Sequence, residues 1–437
     1  MSETRRQTFC GSPEHAINRR GFLGSVAAGA AAFAADMTVL DVLRNPILAG
    51  ELKRNEKRVI LLWLAGGASQ LETWDPKPGA PTGGPFRSIP TAVPGIRISE
   101  LMPRMAQRMD QTCIIRSLNT KNGDHGGGAR LMMHGRRDDA SVRYPDLGAV
   151  LARELGQIHS QVPDYVSFYS ATEGRNMAPG SSGFLGERYA PMHLTTGMIP
   201  ENLRRLDEIS ELDHVQRALL RDLLSKKFER GRSSRVLGSH NVAYERVRGL
   251  MASESLFDIT REPRKVRDQF GPTQFGEQVL VARRLAEAGV PFVRVARAWW
   301  DSHGQNFETH QEMVPELDHV MAALLDDLKA RGLLESTLVI TLAEFGRTPE
   351  INPSLGRDHF ATAWSATLSG GGIRGGSVHG KTDATGRAVV DGEAGPAALF
   401  ATIYQALGID HQKQYMVGAR PVPLTDPGTE PIREVLT

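Results

Sequence analysis

Val59-Ile60-Leu61-Leu62-Trp63-Leu64 is an unbroken apolar run that ends in Ala65-Gly66-Gly67. A strand with one face in water alternates polar and apolar residues; this run offers no polar position. It reads as a buried parallel strand that enters a tight loop. A second buried strand, Ser336-Thr337-Leu338-Val339-Ile340-Thr341-Leu342, follows an apolar stripe at helical spacing: Val314, Leu317, Val320, Met321, Leu324, Leu325 and Leu328. Arg331-Gly332 supplies the stop between them. Strands that alternate with helices in this way imply a parallel sheet covered on both faces.

Other segments extend the pattern. Thr112-Cys113-Ile114-Ile115-Arg116, Tyr165-Val166-Ser167-Phe168-Tyr169 and Pro291-Phe292-Val293-Arg294-Val295-Ala296 read as further strands. Helices are expected after Asp124, through Leu147, Val150, Leu151 and Leu155, and from Phe275 to Ala288. From Glu201 to Phe270 the charges become dense. Leu203, Leu206, Ile209, Leu212, Leu219, Leu220, Leu223 and Leu224 recur there near helical spacing, which predicts a helical insertion over about 200–270. No internal repeat is present at periods of about 20–50 residues.

The 437 residues are 40% hydrophobic and 23% charged, which excludes wholesale disorder. With 52 basic against 50 acidic residues the net charge is +2, so composition gives a nucleic-acid partner no support. No apolar window of about 18 residues suggests a spanning helix in the mature chain. Cys10 precedes the export segment described next and Cys113 lies in a predicted strand. One remaining thiol cannot form an internal disulfide, so stability must come from core packing.

Asn18-Arg19-Arg20-Gly21-Phe22-Leu23-Gly24 runs into Ser25-Val26-Ala27-Ala28-Gly29-Ala30-Ala31-Ala32-Phe33-Ala34. An arginine pair, a short apolar run and small residues come in the order of an export signal of the twin-arginine kind. The expected organisation is a signal over 1–35, a linker over 36–56 and one domain over 57–437. The expected location is periplasmic or extracellular, with membrane contact only through the signal if it is retained.

Ligands of open parallel sheets bind beyond the carboxyl ends of the strands. Four such loops carry acids or histidines beside glycines. The first holds Gly66, Gly67, Ser69, Glu72, Thr73 and Asp75; the second holds Asp124 and His125 before three glycines. The third holds Asp301 and His303; the fourth holds Glu344 and Arg347, then Arg357, Asp358 and His359. Carboxylates and imidazoles ligate Zn²⁺, Mn²⁺ and similar ions. Gly66 and Gly67 let backbone amides approach an anion, and Arg347 and Arg357 suit a phosphate- or sulfate-like group. His134, His159, His214, His310 and His319 read as solvated or packing residues.

The stretch from Val59 to Pro78 resembles the opening of the sulfatase-like family DUF1501, a branch of the alkaline-phosphatase superfamily. So do Gly183-Phe184-Leu185-Gly186 with Tyr189-Ala190-Pro191, Trp300-Asp301-Ser302-His303-Gly304, Glu344-Phe345-Gly346-Arg347-Thr348-Pro349 and Gly356-Arg357-Asp358-His359. The resemblance implies an alkaline-phosphatase-like three-layer sandwich, mostly parallel sheet between helices, with a one- or two-metal site that acts on phosphate or sulfate esters. By position, Asp301 with His303 resembles one later ligand pair and His359 the final histidine. Glu344 stands where an Asp would end the penultimate strand, and Phe345 replaces the usual His.

Two departures stand out. The first strand ends without the family Asp, leaving Glu72 or Asp75 as substitutes from the loop. His125 occupies the place of the nucleophile at the helix start, and no Cys-x-Pro/Ser-x-Arg stretch exists for formylglycine chemistry. Two readings follow. One is a hydrolase of small-molecule or polysaccharide esters that uses a divalent ion (Zn, Mn or Ca). Asp301, His303, Glu344, Asp358 and His359 would serve as its ligands, with Glu72 or Asp75 joining them. His125 would be ligand, general acid or nucleophile, and Ser69 and Thr73 reserve nucleophiles. The other is a non-catalytic exported protein that binds through the same fold.

Overall fold

The computed structural model describes residues 56–156, 162–168, 180–194, 208–229, 249 and 254–437. The expected signal over 1–35, the linker up to 55 and much of the expected insertion lie outside those residues.

Eight strands form one sheet: β1 (Arg58–Leu64), β2 (Thr112–Leu118), β3 (Tyr165–Phe168), β4 (Met192–Leu194), β5 (Phe292–Arg297), β6 (Thr337–Leu342), β7 (Trp364–Ser369) and β8 (Ser377–His379). Their order is β8-β2-β7-β6-β1-β5-β3-β4. β1 lies near the middle, parallel to β5 and to β6, with Val59 opposite Phe292 on one side and Leu338 on the other. Ile60 to Leu64 and all of β6 are buried, so both faces are covered, as the apolar runs require. The sheet is flanked by helices, the three-layer α/β arrangement expected from the sequence.

β7 is the exception to the parallel pattern. It runs antiparallel between β2 and β6. Its sequence, Trp-Ser-Ala-Thr-Leu-Ser, alternates as if one face were wet, yet Thr367 and Ser369 are buried. Their hydroxyls are satisfied across the sheet: Thr367 bonds Thr341 at 2.6 Å and Ser369 bonds Thr112 at 2.9 Å. Paired hydroxyls remove the desolvation cost that would otherwise exclude them from a core strand.

The main helices are α1 (His125–His134), α2 (Leu147–Leu155), α3 (Glu211–Glu229), α4 (Gln274–Glu287), α5 (Asn306–Ala330) and α6 (Pro396–Ala406). Side-chain caps start three of them: Asp124 accepts from Gly127 N–H, Asp146 from Ala149 N–H and Thr273 from Gly276 N–H. The stripe from Val314 to Leu328 on α5 is buried as core. Over the span of the expected insertion the described residues form α3 and two shorter helices, Glu254–Phe257 and Arg264–Phe270. No helix among the described residues is long and apolar enough to cross a membrane.

This topology fixes one functional rim. The loops after β1, β5 and β6 and the β2–α1 connection leave from the carboxyl ends of parallel strands. β7 runs the opposite way, so the residues that precede it, including His359, arrive at the same rim.

Candidate functional site

His359 pairs with Arg347 in a two-residue antiparallel ribbon, His359–Phe360 against Gly346–Arg347. The ribbon brings the loop after β6 against the segment that leads into β7. The imidazole is then fixed by the backbone: Nδ1 lies 2.7 Å from the carbonyl of Gly123. A carbonyl only accepts, so Nδ1 carries a proton, and in the neutral ring Nε2 then presents a lone pair. His303 is held the same way, with Nδ1 2.7 Å from Oδ1 of Asp358. That hydrogen bond holds the Asp358 carboxyl below its usual range, so it too acts as acceptor.

The two Nε2 atoms face each other at 3.0 Å. Oδ1 of Asp301 lies 3.1 Å from His303 Nε2 and 3.2 Å from His359 Nε2. Two imidazole lone pairs and a carboxylate oxygen directed at one spot repel unless a cation sits among them. Histidines whose other nitrogen donates to an oxygen acceptor are the arrangement found around bound metals. His125, Asp301 and His359 also offer ligand atoms that all lie within 4.8 Å of one another. The residues therefore fit a divalent ion, with Asp301 and His359 common to both groupings.

His125 opens α1. Its Nδ1 is 2.8 Å from Oε1 of Glu344 and its Nε2 is 3.3 Å from Oδ2 of Asp301. The hydrogen bonds to Asp301 and Glu344 outweigh burial and raise its pKa to about 9. Asp301 shifts the other way. Burial favours its neutral form, but hydrogen bonds from His125 and Arg347, with the arginine's charge beside it, hold the carboxyl far below the usual carboxylate range. Glu344 is buried; Oε1 also accepts from Gly66 N–H at 2.8 Å, while Oε2 has no partner among the described residues. Phe345, which stands where the resemblance led a histidine to be expected, packs its ring 4.3 Å from that of His359 and 5.0 Å from that of His125.

The remaining expected site residues are consumed internally. Arg347, expected to hold an oxyanion, is fully buried. Its guanidinium donates to the carbonyls of Gly67, Arg357 and Gly66 and to Oδ1 of Asp301. Arg357, expected in the same role, is buried against Glu72 at 2.8 Å and bonds the carbonyls of Thr82, Thr348 and Pro349. Glu72, expected as a substitute ligand, is that arginine's counterion instead. Asp75 pairs with Lys77 at 2.9 Å and Arg116 at 3.5 Å and accepts from Thr382. Ser69 and Thr73, expected as reserve nucleophiles, are buried, with the Thr73 hydroxyl on the Ser69 carbonyl at 2.7 Å.

Gly66 and Gly67 do not cradle an anion with free amides. Gly66 N–H goes to Glu344 and Gly67 N–H to the carbonyl of Leu64. What the pair provides is close approach. Gly66 sits at φ +105°, and a Cβ there would lie 2.5 Å from the backbone nitrogen of Asp301. Sequence reasoning missed the Gly123 carbonyl that orients His359, which no side-chain pattern marks. His310, expected to be a solvated or packing residue, is buried and has a further role: its ring accepts from Ser69 N–H at 2.9 Å and donates to the Asn306 carbonyl, tying α5 to the first loop.

Residues 56–436 match the family described as "Protein of unknown function (DUF1501)". Among curated proteins nothing matches the chain. Solved structures similar to it include the PsFucS1 sulfatase from Pseudoalteromonas sp., at 13% identity over 85% of this chain and 70% of that one, with a TM-score of 0.41. The phosphonate monoester hydrolase of Agrobacterium radiobacter is similar at 12% identity over 87% and 77%, with a TM-score of 0.38. A protein in the alkaline phosphatase superfamily from Vibrio parahaemolyticus is similar at 11% identity over 81% and 66%, with a TM-score of 0.33.

Proposed function

This chain belongs to the DUF1501 family of proteins of unknown function, and from its site we propose that it is an exported, metal-dependent hydrolase of phosphate or sulfate esters. One observation carries the reading: the Nε2 atoms of His303 and His359 meet at 3.0 Å beside Asp301, each with its Nδ1 hydrogen-bonded to an oxygen acceptor. Asp301, His303 and His359 would hold the ion, with Asp358 and the Gly123 carbonyl orienting the rings.

A divalent ion there supplies Lewis-acid chemistry toward an ester oxygen. The chain's own residues do the rest. Arg347 keeps Asp301 ionised and fixes its rotamer. His125, anchored through Nδ1 on Glu344, presents Nε2 to the cluster and is placed to give a proton to a leaving oxygen. Phe345 forms an apolar wall that displaces water from beside both imidazoles. The substrate would be a small or polysaccharide ester, and export by the twin-arginine route suits a protein folded with its ion aboard. The expected domain plan, a signal over 1–35 ahead of one catalytic domain, belongs to the same reading.

A second reading is favoured by one observation: both rim arginines are buried, and Phe345 stands where a ligand histidine was expected. On that reading the chain binds an exported ligand without turning it over. Elemental analysis of protein folded without chelator, paired with a screen of aryl phosphates and aryl sulfates across divalent ions, separates the two. About one transition-metal equivalent that His359→Ala abolishes, with turnover lost alongside, is the expected result. A metal-free wild type that is inert to every aryl ester would end the hydrolase reading.

A further inference from the structure

Helix α3 is amphipathic the wrong way round for a monomer. Leu212, Leu219 and Leu223 are 67%, 64% and 63% exposed, and Val215, Leu220 and Leu224 are exposed beside them. The positions with more cover are Ala218, Arg221, Asp222 and Ser225, which share the opposite face. A helix on a globular protein turns its apolar stripe inward. Here the stripe faces out and a small, polar face is the one partly covered. More than half of the large exposed hydrophobic residues among those described lie on this one helix, which marks an interaction surface.

We propose that this face pairs with the same helix of a second copy, antiparallel, across a two-fold axis near Leu220. Three features of the helix favour that occupant. The apolar stripe extends to both sides of Leu220, as a self-complementary patch requires. One acidic and one basic position are complementary about that residue: Asp213, held by two hydrogen bonds to the Ser210 hydroxyl, lies in the first turn, and Lys226 and Lys227 lie in the last, ahead of Glu229. An axis at Leu220 sets Asp213 of one copy opposite Lys227 of the other. Antiparallel helices also oppose their dipoles favourably. A lipid surface is the weaker fit, because acidic and basic residues are balanced along the segment and give no attraction to anionic headgroups.

The test uses the full chain. Light scattering and sedimentation at micromolar concentration should report a dimer, and Leu219→Glu combined with Leu223→Glu should yield a monomer with unchanged far-UV circular dichroism. Cysteine cross-linking reads the geometry independently of that variant's folding. Leu220→Cys should oxidise to a covalent dimer. Leu212→Cys should not, because eight residues of helix place it about 12 Å from the axis and about 24 Å from its counterpart. Cys113 is buried and does not compete, and both variants carry Cys10→Ser so that the introduced thiol is the only accessible one. A monomeric wild type overturns the proposal, as does a dimer that survives both glutamates. Cross-linking at Leu212→Cys as fast as at Leu220→Cys indicates a parallel pair and overturns it too. So does a monomer that floats with phosphatidylcholine vesicles.

Discussion

Replacing Arg357 by Met separates a structural arginine from a substrate-binding one. Both Arg357 and its partner Glu72 are fully buried, with NH2 2.8 Å from Oε1. The guanidinium also ties the carbonyls of Thr82, Thr348 and Pro349. Removing it strands a carboxylate whose Oε2 already has no hydrogen-bond partner among the described residues. Breaking one side of a buried ion pair costs about 3–5 kcal/mol, because the remaining charge must protonate or draw in water. At about 2 °C per kcal/mol for a chain of this size, the melting midpoint should fall by about 6–10 °C. Adding Glu72→Gln removes the orphaned charge and should restore a large part of that loss, since contacting residues do not add. Thermal or urea unfolding of the two single variants and the double variant reads the coupling. A single variant that melts like the wild type and only weakens substrate binding would refute the reasoning, and would return Arg357 to the oxyanion role.

Asp358→Ala frees His303 Nδ1 and should weaken metal binding about 10–100-fold in a chelator competition; an unchanged affinity would remove Asp358 from the site. Gly66→Ala forces a side chain onto φ +105° with its Cβ 2.5 Å from the Asp301 backbone. It should cost at least about 2–3 kcal/mol in urea unfolding and lower metal content together. Burial pushes the carboxyls of Asp146 and Asp318 up to about 6. A folded pKa above the unfolded one means the folded state holds more protons between about pH 4 and 6. Stability should therefore fall across that window, by up to about 3 kcal/mol per carboxyl, and level off above it. Asp146→Asn should flatten the fall, and a stability that instead rises from pH 4 to 6 would contradict this account.

The architecture was legible where a single physical constraint dominates. β1 has no polar position after Arg58 and β6 only Thr337 and Thr341, with no charge to turn outward, so their burial on both faces follows from composition. β7 was not legible, because Ser365, Thr367 and Ser369 make it read as half-wet. Only the cross-sheet partners Thr341 and Thr112, distant in sequence, make it a core strand. The same asymmetry governs the site. Asp301, His303, His359 and His125 sit in loops after parallel strands or beside an antiparallel one, and topology brings such loops to one rim. Glu72, Asp75, Arg347 and Arg357 lie in equivalent loops with equivalent chemistry. Sequence distance cannot tell a charged group that faces the rim from one that its neighbour neutralises in the interior.

That division of charged groups explains why the rim depends on histidine. Each arginine near the site is neutralised by a carboxylate or by carbonyls and is buried, so it contributes a fixed charge. Arg347 illustrates the consequence: by donating to Asp301 Oδ1 and to the Gly66 and Gly67 carbonyls at once, it locks the first loop, the carboxylate and the loop after β6 into one unit. Asp301 then stays ionised in one orientation. Beside Arg347, its negative charge is answered by His125, whose pKa the hydrogen bonds to Asp301 and Glu344 raise to about 9, so that ring carries a proton at neutral pH. A divalent ion on Asp301 competes for the oxygen that holds that proton and repels the charged ring, so binding exchanges a proton for the ion without moving the frame. Isothermal titration of metal into the apo protein in two buffers of different ionisation enthalpy should therefore show proton release, and His125→Gln should remove it. Binding heats that are the same in both buffers would mean that His125 was already neutral, and that the charge balance argued for Asp301 is wrong.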